Sequence, residues 1–168
     1  IWTHVEYLGE HTRKYVQMLT SSARNQPVIE LWPSQQEAFR RHLLDSYQRA
    51  ILVEMPTSAG KTLLAKFAII QTKALNPHGL VAYVVPTRAL VNQITFDFRM
   101  DFRHMLRVEQ AVPAFEMDPT EERLLRSRID VLVTTPEKLD LLVRSEHPIV
   151  KNIALVVADE AHNISDGE

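Results

Sequence analysis

The feature that most constrains this chain is an alternation. Short apolar runs, too brief to be helices, are separated by longer stretches with helical spacing. Ala50–Val53, Leu80–Val85, Ile129–Val133 and Ile153–Ala158 are such runs, with a weaker one at Arg107–Val112. Continuous apolar character over a few residues marks a strand buried on both faces, as in a parallel sheet. The intervening segments carry helix punctuation. Lys61 to about Leu75 reads as a helix ended by Asn76-Pro77-His78-Gly79, and Pro86-Thr87 opens another to about Arg103. Ser34 with Glu37 predicts a capping box opening a helix to about Arg49, and Asp118-Pro119-Thr120-Glu121 and Thr135-Pro136-Glu137 predict two further starts. Strands alternating with helices at this spacing require crossover connections, so the fold class is α/β with a mostly parallel β-sheet flanked by helices. Ahead of this pattern, Trp2, Val5, Leu8, Tyr15 and Leu19 predict an amphipathic helix within residues 2–24, closed off by Pro27. Residues 1–29 are therefore expected to be an N-terminal helical extension and residues 30–168 the α/β domain.

Composition narrows the function. The chain has 168 residues, 45% hydrophobic and 24% charged, which excludes intrinsic disorder. Its 19 basic and 21 acidic residues leave a net charge of −2, so a polybasic tail is excluded and any nucleic-acid contact must come from local placement. With no cysteine there are no disulfides, thiol nucleophiles or Cys-type zinc sites, which fits a reducing compartment. The apolar runs fall far short of the ~20 residues a membrane-spanning helix needs, and no membrane partner is expected. The expected location is cytoplasmic, or nuclear in a eukaryote.

Between the Ala50–Val53 run and the helix at Lys61 lies Met55-Pro56-Thr57-Ser58-Ala59-Gly60-Lys61-Thr62. A phosphate-binding loop belongs at such a place: a tight loop turns its backbone N–H groups inward and opens onto the positive end of a helix dipole. Thr57, Ser58, Ala59 and Gly60 supply the loop, with Gly60 permitting close backbone approach. Lys61 reaches the β- and γ-phosphates, and the Thr62 hydroxyl binds Mg²⁺. Met55 stands where the usual pattern has its first glycine.

The last apolar run, Ile153–Ala158, leads straight into Asp159-Glu160-Ala161-His162. A carboxylate at the carboxyl end of a buried parallel strand is where nucleotide-binding sheets hold Mg²⁺. Asp159 is expected to hold the metal through water, and Glu160 to orient and activate the attacking water.

Together these residues resemble the first RecA-like domain of superfamily-two DExD/H-box helicases. Pro-Thr-Ser-Ala-Gly-Lys-Thr, Pro-Thr-Arg-Ala-Leu-Val-Asn-Gln, Thr-Thr-Pro-Glu-Lys-Leu and Asp-Glu-Ala-His occur in that family's order over about residues 30–168. The Thr-Pro-Glu-Lys form is more similar to the DExH proteins of the Ski/Brr-like group than to DEAD-box proteins. The resemblance implies ATP and Mg²⁺ as cofactors and catalytic roles for Lys61, Asp159 and Glu160. It implies that Gln35, in Pro33-Ser34-Gln35-Gln36, reads the adenine edge, a task suited to an amide that donates and accepts at once. It implies that Thr87 and Arg88 (motif Ia) and Thr135 and Lys138 (motif Ib) hold the sugar-phosphate backbone of DNA or RNA without reading its sequence. His162 would couple hydrolysis to movement. The glycine pair often found between motifs Ia and Ib is replaced by Ala114-Phe115-Glu116-Met117.

The intact protein is thus expected to be an ATP-dependent helicase or translocase on DNA or RNA, with possible protein partners in a larger complex. The chain ends shortly after Asp-Glu-Ala-His. The family's Ser-Ala-Thr strand and second RecA-like domain, with its arginine finger, are expected beyond it, leaving this domain incomplete at its C-terminus and the 168 residues alone with little ATPase and no unwinding. Two other readings stand beside this one: a P-loop NTPase that does not act on nucleic acid, and a non-enzymatic helicase-like scaffold subunit.

Overall fold

In a computed structural model, residues 10–21, 30–45, 49–56, 60–111 and 128–160 are described. They form two compact units, Ile1–Pro77 and His78–Glu168.

The N-terminal unit is helical in its described part: α1 (Glu10–Thr20), α2 (Pro33–Arg40) and α3 (Lys61–Leu75). Phe67 of α3 organises it. The ring is fully buried and receives Tyr15 of α1 and Phe39 of α2 edge-on, each with a centroid separation of 5.2 Å. T-shaped pairs of this kind add to the stabilisation from area burial alone. Helix α3 runs from Lys61 to Leu75 as the sequence predicts. It ends where Asn76 N–H returns to the Thr72 carbonyl and Lys73 Nζ donates to the Pro77 carbonyl at 2.9 Å. Helix α1 sits inside the segment predicted at residues 2–24, whose remaining residues, 21 aside, lie outside the described ones.

Two predictions fail here. The helix expected from Ser34 to Arg49 is shorter and starts earlier, because Trp32 is the N-cap and Pro33 the first helical residue. Gln35, three positions after Trp32, turns its Oε1 back to accept the Trp32 N–H at 3.0 Å, and so occupies the place predicted for Glu37. Glu37 instead pairs with Arg41 and Arg40 on the helix surface, and the Arg41 hydrogen bond lowers its carboxyl below the usual range. The strand predicted at Ala50–Val53 is also absent: residues 50–56 form no ladder, and Leu52 is 79% exposed. An apolar run becomes a strand only by pairing its backbone, and among the described residues these make no ladder.

The C-terminal unit is a four-stranded parallel sheet in the order β2-β3-β1-β4, with β1 Leu80–Val84, β2 Val108–Ala111, β3 Val131–Thr134 and β4 Ile153–Ala158. Helix α4 (Arg88–Asp101) joins β1 to β2, while α5 (Pro136–Arg144) and a 3₁₀ turn at Pro148–Asn152 join β3 to β4. The interior strands β1 and β3 are wholly buried, as their unbroken apolar runs require. Strand β4 keeps its predicted bounds but lies at the edge, where Ala154, Val156 and Ala158 are exposed. Leu80, Ala111, Ile129, Leu132, Leu142 and Ile149 form a continuous core cluster. Tyr83, Phe98 and Phe102 make an aromatic chain from β1 into α4, with centroid separations of 4.8 and 5.3 Å. The helix start predicted at Asp118-Pro119-Thr120-Glu121 lies outside the described residues.

Candidate nucleotide site

Helix α3 opens at Gly60, whose φ of 77° and ψ of 35° are left-handed, a conformation open to glycine at little cost. Among the described residues no side chain caps this helix; the Leu63 N–H returns to the Gly60 carbonyl at 3.1 Å, and the N–H groups of Lys61 and Thr62 at its start suit an anion. Lys61 and Thr62 are its first two residues and are half-buried. A side chain on Gly60 has no room: a Cβ there would run into the Gln35 amide.

Gln35 is 4% exposed and engaged on both ends of its amide. Oε1 accepts the Trp32 N–H, and Nε2 donates to the Gly60 carbonyl at 3.2 Å. The residue expected to read adenine is therefore fastened to the last residue of the phosphate loop. An amide keeps a second N–H and a second lone pair after these two bonds, so engagement with a base is compatible with them. Its neighbour Gln36 turns away and donates to the Leu31 carbonyl at 2.9 Å. Thr57, Ser58 and Ala59 lie outside the described residues.

In the C-terminal unit, strand register brings three predicted segments to one edge. Val84 is paired with Thr134 and with Ala158, and Thr134 with Ala111, so the carboxyl ends of all four strands are level. From this edge emerge Thr87, Thr135 and Asp159. Asp159 N–H donates to the Val84 carbonyl at 2.9 Å, extending the β1–β4 ladder by one residue. Its carboxylate is held on both oxygens: Tyr83 Oη donates to Oδ2 at 2.7 Å, and Glu160 N–H donates to Oδ1 at 3.1 Å. Glu160 reaches that position with a φ of 55°, in the left-handed region. Burial, then the Asp159 charge and the hydrogen bond to it, push the Tyr83 phenol far above its ordinary range, so it stays protonated and donates. Sequence reasoning missed Tyr83. The signal was a lone hydroxyl within the otherwise apolar Leu80–Val84, where a buried phenol must find an acceptor. His162 lies outside the described residues.

The two threonines cap helices in the same way. Thr87 Oγ1 accepts Leu90 N–H at 3.2 Å, and Thr135 Oγ1 accepts Lys138 N–H at 3.4 Å. Thr87 and Arg88 are exposed. Thr135 is only 2% exposed and Lys138 0%, so these two side chains are enclosed where Thr87 and Arg88 are at the surface.

The residues fit the cofactors expected of them: an uncapped helix start after a left-handed glycine for phosphate, and an oriented carboxylate at a strand end for Mg²⁺. Among the described residues, no three histidines, aspartates or glutamates cluster as a metal cage, and no helix is long and apolar enough to cross a membrane.

A parallel sheet with acidic residues at its carboxyl edge, and a separate glycine-led helix start, define the class of nucleotide-binding α/β domains. The family model of the DEAD/DEAH box helicases matches residues 32–168, and the chain belongs to that family. It is 31% identical over 140 residues to the Hachiman protein HamB of Bacillus cereus, covering 83% of this chain and 12% of that protein. It is 34% identical over 137 residues to the ATP-dependent DNA helicase Hel308 of Thermococcus kodakarensis, covering 82% of this chain and 12% of the relative. The fold matches a crystal structure of the DUF1998 helicase MrfA with a TM-score of 0.70 at 20% identity, over 89% of this chain and 24% of the other. A hypothetical ATP-dependent RNA helicase from Sulfolobus tokodaii matches with a TM-score of 0.68 at 20% identity, over 90% of this chain and 42% of the other. These matches establish a RecA-like helicase domain, and the chain spans a small part of each relative's length.

Proposed function

We propose that this chain is the ATP-binding part of an ATP-dependent helicase or translocase, in which hydrolysis drives movement on nucleic acid. The observation that carries the reading is the common carboxyl edge, where Asp159-Glu160 and the exposed Thr87-Arg88 leave neighbouring strands in register. In this reading Lys61 and the α3 N-terminus hold the β- and γ-phosphates. Thr62 and Asp159 hold Mg²⁺, which supplies charge neutralisation on the transferred phosphoryl group. Glu160 orients and deprotonates water, Gln35 recognises adenine, and His162 couples the site to movement. Thr57, Ser58 and Ala59 complete the cradle. Thr87 and Arg88, with the helix start at Thr135 and Lys138, contact the sugar-phosphate backbone. DNA is favoured over RNA by the similarity to the Hel308 proteins, which are ATP-dependent DNA helicases. The Thr134-Thr135-Pro136-Glu137-Lys138 form favours the Ski/Brr-like DExH group. Residues 1–29 are assigned to an N-terminal extension and residues 30–168 to the helicase domain. Protein partners in a larger complex and a cytoplasmic (or eukaryotic nuclear) location belong to the same proposal.

ATP hydrolysis by the full-length protein, measured with and without single-stranded DNA or RNA, tests it. Stimulation several-fold by a single strand, stronger with DNA, is the expected result. Hydrolysis indifferent to nucleic acid would favour a P-loop NTPase of another kind, and absence of nucleotide binding would favour the scaffold reading.

A further inference from the structure

We infer that Tyr83 is the positioning residue for the Asp159 carboxylate, setting the direction from which that acid faces a cation. The inference rests on the reading of Asp159 as a Mg²⁺-holding acid and adds a residue from outside the four motifs.

Three observations converge on it. First, β1 holds Asp159 twice: the Val84 carbonyl takes its N–H at 2.9 Å, and the Tyr83 hydroxyl reaches Oδ2 at 2.7 Å. Main chain and side chain are anchored to one buried strand, so the acid cannot rotate about its side-chain bonds without losing a short, charge-assisted hydrogen bond. Second, Tyr83 is itself immobile. It is 1% exposed, and its ring lies edge-on to Phe98, which in turn meets Phe102. A phenol at the end of such a chain moves only if the core repacks. Third, the other oxygen is also committed, since Oδ1 accepts the N–H of Glu160 at 3.1 Å. With one donor on each oxygen, the carboxylate plane is set, and each oxygen keeps a lone pair for a metal-bound water. Partners that orient ligating carboxylates in this way commonly matter as much as the ligands themselves.

The test is the Mg²⁺ dependence of nucleotide binding, read with a fluorescent ATP analogue on the full-length protein, alongside melting curves. Tyr83→Phe keeps the ring against Phe98 and removes only the donor. It is expected to raise the Mg²⁺ midpoint roughly ten-fold while metal-free nucleotide binding is unchanged. Asp159→Asn is expected to raise the midpoint as well, and the double variant to match Asp159→Asn alone, because the phenol acts through that carboxylate. A Tyr83→Phe protein that melts earlier but keeps the wild-type midpoint would show a merely structural tyrosine and overturn the inference alone. An unmoved midpoint in Asp159→Asn would overturn the metal-holding reading and the inference with it. Additive shifts in the double variant would overturn the route through Asp159.

Discussion

Thr87 and Thr135 occupy matching places. Each follows a buried strand of the same sheet, each caps the next helix through its hydroxyl, and the strands that deliver them pair directly, Val84 beside Thr134. Yet one cap is exposed with an exposed arginine behind it, and the other is enclosed with a lysine that has no exposed surface. Identical local chemistry therefore serves two purposes. At Thr87 the helix start faces outward and is available to a ligand. At Thr135 the same cap is enclosed.

The largest expected effect separates the two cations. Lys138→Ala empties an enclosed site and should cost about 3 kcal/mol in chemical denaturation, the scale of a large-to-small core substitution. Arg88→Ala should stay within about 0.5 kcal/mol, as exposed substitutions do. Equal costs would erase the distinction. The caps come next. Thr87→Ala should lose about 1 kcal/mol as an ordinary exposed cap. Thr135→Ala should lose about 2 kcal/mol, because it also leaves a buried Lys138 N–H without its acceptor. Reversal of that order would place the structural role at Thr87. The smallest effect is seen only in binding. Arg88→Ala should reduce the slope of log affinity for single-stranded DNA against log salt by about 1, the loss of one phosphate contact, while Thr135→Ala should leave the slope unchanged.

The comparison also shows what a sequence carries and what it hides. Caps and strand ends are local properties, so helix α3 at Lys61–Leu75, strand β4 at Ile153–Ala158 and both threonine starts could be read directly from residue order. Exposure is not local. Nothing in Thr134-Thr135-Pro136-Glu137-Lys138 distinguishes a lysine offered to solvent from one enclosed in the fold. Pairing is not local either: Ala50–Val53 has the composition of a strand but forms no ladder among the described residues. The start of α2 was misplaced because two residues competed to close it. Gln35, fastened to both Trp32 and Gly60, occupied the place that Glu37 would take in isolation. Of the candidate site, the motif residues were legible, and the tie from Tyr83 to Asp159 was not, since it joins positions 76 residues apart.

The proposed function depends on Lys61 holding the phosphates of the ATP that is hydrolysed. Its most direct test is steady-state ATP hydrolysis by full-length Lys61→Ala in saturating single-stranded DNA. The account predicts a fall of about 10²–10³-fold, by analogy with the removal of one preorganised donor to a developing negative charge. Hydrolysis at the wild-type rate would contradict it.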